Sequence, residues 1–162
     1  MVLAHGLPVV IEVTAESMTP SLHRGAKVKV EPVDGDLHAG DIVLIATGEG
    51  HDLLLHRVMH LFSEGGERFV IHQGDAPLST FATCSREAVI GRVTGLSPQR
   101  AQLVPTLENL SPKARARFVR RRRVCAVFSL GRRLMLSLRL GDRKLTRRLA
   151  RALRALALNV TR

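Results

Sequence analysis

The chain has 162 residues, enough for one domain, or one domain and an appendage, that buries a sizeable core. Hydrophobic residues make up 45% of it, yet there is no Trp or Tyr, so Val, Leu, Ile and Phe must build that core; the two cysteines, Cys84 and Cys125, offer neither a disulfide framework nor a CxxC metal motif. The formal charge of +11 is unevenly placed, with 8 Lys and Arg against 13 acids in residues 1–110 and 17 against 1 in residues 111–162. Such asymmetry points to an anionic partner for the basic part. A bilayer span takes about 20 consecutive apolar residues. The apolar stretch Leu7 to Val13 is too short, and Arg132, Arg133 and Arg139 interrupt the one around residues 124–140. We therefore expect no transmembrane segment, and no secretion signal, because the first stretch lacks a basic flank.

In chain order, residues 9–15, 26–32, 41–46, 53–61, 67–73 and 88–96 read as strands. They are short, rich in Val, Ile and Leu, and separated by turn residues. Lys27 and Lys29 alternate with Val28 and Val30, as in a half-exposed strand with its lysines in solvent. VDGD, at 33–36, and GEGHD, at 48–52, read as hairpin connections, and SEGGE, at 63–67, as a tighter one. The pattern changes after Pro105, so we expect a β-rich segment at 1–104 and a basic helical extension at 105–162. Ser111-Pro112 suits a helix start, with Ser as the cap and Pro at the first helical position. Arg115 to Arg123 follows and reads as basic all round. Beyond Gly141-Asp142, residues 143–158 read as an amphipathic helix. Leu145, Leu149, Leu153 and Leu156 fall within an arc of about 80°, opposite Arg143, Lys144, Arg147, Arg148, Arg151 and Arg154.

The candidate chemistry lies in the first segment. Ser17 follows the apolar run Val9 to Val13 and precedes a turn stiffened by Pro20, a junction that can expose a hydroxyl at a sheet rim. A hydroxyl needs a neighbouring base, and the base needs an orienting partner. His56 and Asp75 are the downstream residues best suited to those roles. An imidazole with an ordinary pKa near 6.5 can take the seryl proton at neutral pH. Each residue also has a plain structural reading: a turn-capping serine, a packed histidine, a turn aspartate. His56 and His60 lack a third ligand at a recognisable spacing, and no acid closes a calcium loop around Asp34, Asp36 and Asp41, so no metal is expected.

The segments SMTPSL, GDIVLI, LLHRV, HQGDAP and AVIGRV, in that order over about residues 9–96, resemble the catalytic domain of signal peptidase I. The resemblance is to the branch that uses histidine where other members use lysine, found in the endoplasmic reticulum, archaea and some bacteria. It implies a mainly β fold, the coiled sheet shared by signal peptidases and LexA, here with an Arg-rich helical tail. It implies a serine endopeptidase that uses no cofactor, with Ser17 as nucleophile, His56 as base and Asp75 as orienting carboxylate. Substrate would be a signal or leader peptide held as an extended strand and cut after small residues, with Glu16, Met18 and Pro20 lining the groove. Two positions depart from the pattern. Ala76-Pro77-Leu78-Ser79 supplies no second acid after Asp75, so the centre could run as a Ser-His dyad. Ala15 stands where some members place an oxyanion-stabilising hydroxyl, which leaves that work to backbone such as the Ser17 N–H.

Two other readings compete. A LexA-like self-cleaving regulator would use a lysine base, but the base position holds His56. A non-catalytic adaptor would act through its basic tail, on a membrane or on nucleic acid. The segregated leucine and arginine faces of residues 142–158 favour an anionic membrane surface over nucleic acid. We therefore expect a cytoplasmic enzyme with a peripheral membrane contact, acting on a peptide or preprotein.

Overall fold

The computed structural model describes residues 6–48, 52–96, 106–107 and 109–137, with side chains through Arg133. Seven strands form one antiparallel sheet: β1 (Val9–Glu12), β2 (Lys27–Glu31), β3 (Ile42–Thr47), β4 (Asp52–Glu64), β5 (Glu67–Gln73), β6 (Phe81–Ser85) and β7 (Val89–Leu96). Their order is β1-β2-β7-β3-β4-β5-β6, and the sheet curls into a half-barrel. A 26-residue helix, α1 (Pro112–Ser137), follows. The chain is thus mainly β, with one C-terminal helix among the described residues.

Local chemistry accounts for several elements. In β2, Val28 and Val30 are fully buried while Lys27 and Lys29 face solvent. Gly65 and Gly66, both at positive φ, close the β4–β5 hairpin between the paired residues Glu64 and Glu67. A two-residue hairpin loop needs that backbone, and glycine adopts it without steric cost. Residues 33–36 do not form a hairpin. They carry the chain from β2 to β3, which are not neighbours, because β7 lies between them. Strand β6 has no counterpart among the expected strands. FATCS is mostly half-buried or exposed at the sheet edge, so it carries little hydrophobic periodicity.

The buried side chains form three clusters. Met18 and Leu22 join Val28, Val30, Ile42 and Leu44 in the first; Val43, Ile45, Val58 and Val70 dominate the second. The third joins α1 to the sheet through Phe118, Cys125, Met59, Phe62 and Ile71. Ser111 caps α1, its Oγ accepting from the Ala114 N–H at 3.3 Å. The helix is not basic all round. Phe118, Arg121, Cys125 and Ser129 are buried along one stripe. Spacings of three and four residues put them on the same helical face. Farther along, Arg132 pairs with Glu64 of β4 at 2.6 Å and stacks over Phe62 and Phe69. Among the described residues no helix is long and apolar enough to cross a membrane. The helix expected at 143–158 lies outside the described residues.

Candidate active site

Ser17 sits in the loop between β1 and β2. The loop is closed at its base by two backbone hydrogen bonds of 2.8 Å, Val13 N–H to Ala26 O and Gly25 N–H to Val13 O. Met18 and Leu22, 1% and 2% exposed, anchor it to the core. The turn is tightened by the Thr19 hydroxyl, which donates to the Glu16 carboxylate at 2.6 Å, and by the Thr19 N–H, which donates to Glu16 O at 3.1 Å. Ser17 is thereby held half-buried between an apolar anchor and a polar turn.

The segment after β5 packs directly on this loop. The Ala76 N–H donates to Ser17 O at 2.9 Å. A Cβ on Gly74 would lie 2.3 Å from Ser17 O and 2.6 Å from Ser79 Oγ, so only glycine permits the approach. Ser79 holds the turn from its far side, its Oγ accepting from the Gly74 N–H at 3.0 Å and its carbonyl accepting from the Gln73 amide. The SMTP and GDAP segments, far apart in sequence, are in contact.

His56 lies on β4 and is 8% exposed. Strand alternation puts it on the face of Val58 and of its cross-strand partner Val43, while Arg57 lies on the face of its partner Ile42. On β5, His72 pairs directly with Val58 and so shares the His56 face. The two Nδ1 atoms are 2.9 Å apart, so one donates to the other. Burial pushes both imidazoles down to about 4, His56 adding a second downward push on His72 and the Asp75 charge partly opposing the shift at His56. Both rings are therefore neutral at pH 7. When His56 donates through Nδ1, its Nε2 keeps the lone pair that a general base requires.

Asp75 accepts from Arg57, at 2.9 Å from Nε to Oδ1 and 2.6 Å from Nη2 to Oδ2. Arg57 is 1% exposed and also donates from Nη1 to Gly40 O at 2.8 Å. Among the described residues no hydrogen bond joins Asp75 to His56, or Ser17 Oγ to His56. The structure brings the Ser17 backbone onto the segment that carries Asp75, pairs Asp75 with Arg57, and puts His72 on His56 Nδ1. Among the residues expected to line a groove, Glu16 and Pro20 are exposed, whereas the Met18 side chain is spent on the core. Pro20 borders a cavity of about 30 Å³ shared with Ser21, Met59, Asp75, Phe118 and Arg121, room for about two water molecules. Lys27 and Lys29 are exposed, and Lys29 pairs with Glu31 at 2.7 Å.

Three residues of this neighbourhood were given no chemical role in the sequence reading: Arg57, His72 and Arg121. Arg57 and His72 lie beside residues singled out for other reasons, and strand alternation on β4 and β5 would have put His72 on the face of His56 once the register was known. Comparisons of the chain with protein-family models, with curated proteins and with solved structures find no match.

Proposed function

We propose that the chain is a serine endopeptidase of the signal-peptidase type, cleaving a signal or leader peptide after small residues, with Ser17 as nucleophile and His56 as general base. The observation that carries this reading is the junction of the Ser17 loop with the Gly74–Ala76 turn that holds Asp75; the base it calls on is a buried, neutral His56 whose Nδ1 is engaged by His72. In this reading Ser17 Oγ attacks the scissile carbonyl as its proton passes to Nε2 of His56. The Ser17 N–H helps hold the developing oxyanion. The imidazolium then returns the proton to the leaving amine, and water releases the acyl group by the same base. This reading requires Ser17 Oγ and His56 Nε2 to come within hydrogen-bond reach in the substrate complex. Asp75 supports the imidazolium through its charge, and His72 takes the orienting place that the sequence assigned to Asp75.

The test is cleavage of leader peptides bearing small residues before the cut. Ser17→Ala and His56→Ala are each expected to abolish it while leaving the melting temperature close to that of the parent, because nucleophile and base act as a unit. Cleavage retained by both variants would overturn the proposal.

A further inference from the structure

We infer that Arg121 of α1 is a positioning residue that sets the place of Ser17 through the Gly74–Pro77 turn. The inference rests on reading Ser17 as the nucleophile. Arg121 is 6% exposed and donates from Nη1 to Gly74 O at 3.1 Å, and from Nη2 to Ala76 O at 3.1 Å and Pro77 O at 3.0 Å. Those carbonyls belong to the turn whose other edge meets Ser17, through the Ala76 N–H and through a Gly74 contact too close for any side chain. Between them, Asp75 is fixed by Arg57. The turn is thus held by one guanidinium from β4 and one from α1, and it presents the remaining edge to the Ser17 carbonyl.

The helix does not need an arginine at this position merely to dock. Phe118 and Cys125, its neighbours on the inward stripe, dock by apolar contact. A buried guanidinium is costly to place, and here its hydrogen bonds all go to the backbone of one turn. Its planar fork reaches three carbonyls at once, which a lysine ammonium on a single stem cannot span. Arg121 is therefore the link by which the C-terminal helix reaches the proposed nucleophile.

The experiment uses the full chain with Arg121→Met and Arg121→Lys, and Arg132→Met as a variant that alters a helix contact remote from the turn. kcat and KM are read on a leader peptide, and exchange of the Ala76 amide hydrogen is followed by NMR. Arg121→Met is expected to lower kcat about tenfold or more with KM little changed, since small misplacements of a reacting group are expensive. It should also speed Ala76 exchange. Arg121→Lys should fall between, and Arg132→Met should change neither readout. Unchanged Ala76 exchange in Arg121→Met overturns the inference, as does faster exchange with unchanged kcat. Should Arg121→Met fail to fold, Arg121→Lys carries the test, and failure of both to fold assigns Arg121 a purely structural role. Cleavage that survives Ser17→Ala, or none by the parent chain, removes the peptidase reading, while Ala76 exchange still decides whether Arg121 positions Ser17.

Discussion

The proposed base, His56, belongs to a buried pair that also bears on the stability of the fold. An ordinary imidazole would give a rise in rate centred between about 6 and 7.5. With burial holding His56 near 4, the base is neutral well below that window, so we expect kcat/KM to be flat from pH 8 to 6 and to fall only toward pH 4. A limb centred between 6 and 7.5 would contradict this. Stability moves in the same direction. Between the ordinary value and about 4, the unfolded chain binds protons that folded His56 and His72 refuse. Stability is therefore fully present above about pH 6.5 and is lost as pH falls through that interval, with a slope of about 1.4 kcal/mol per pH unit for each histidine. Urea midpoints at pH 7 and pH 5 measure it, and His72→Leu should flatten the slope. Asp75→Asn removes the charge of the carboxylate paired with buried Arg57, and breaking such a pair costs about 3 kcal/mol or more. It should lower the urea midpoint clearly, yet reduce kcat less than Ser17→Ala does. An unchanged midpoint would mean that the ion pair contributes nothing.

The elements show which features a sequence can reveal. The lysine–valine alternation of β2, the Ser111-Pro112 start of α1 and the two-glycine hairpin are local, and each was legible because a few adjacent residues determine it. The order of the sheet was not, because residues 33–36 have the composition of a hairpin turn whether or not the flanking strands are neighbours. The inward face of α1 was hidden by its own chemistry. Arg121 stands within Arg120–Arg123, a run that reads as solvated, and its partners are backbone carbonyls that no side-chain pattern announces. The apolar part of that face is open to test. Phe118→Ala should cost about 3–5 kcal/mol if α1 is integral to the fold, read as the shift of a single cooperative unfolding transition. A change below about 1 kcal/mol would mean that the helix docks only loosely.

Across the whole molecule, a mildly acidic sheet carries the candidate site and a strongly basic C-terminal segment follows it. Of the candidate centre, Ser17, His56 and Asp75 could be nominated from sequence. The partnership of Asp75 with Arg57 and of His56 with His72 could not, since both depend on strand register. The proposed membrane contact belongs to this scale as well. If residues 142–158 hold the chain at an anionic surface, the full chain should float with anionic liposomes and a chain ending at Gly141 should not, with flotation weakening as salt rises. Equal behaviour of the two would remove that contact. The central claim, that Ser17 is the nucleophile, is tested most directly by quenching the enzyme in acid during turnover of a leader peptide and mapping the trapped species by mass spectrometry. The account predicts an acyl ester on Ser17 that is missing from Ser17→Ala; peptide cleavage with no adduct at Ser17 would contradict it.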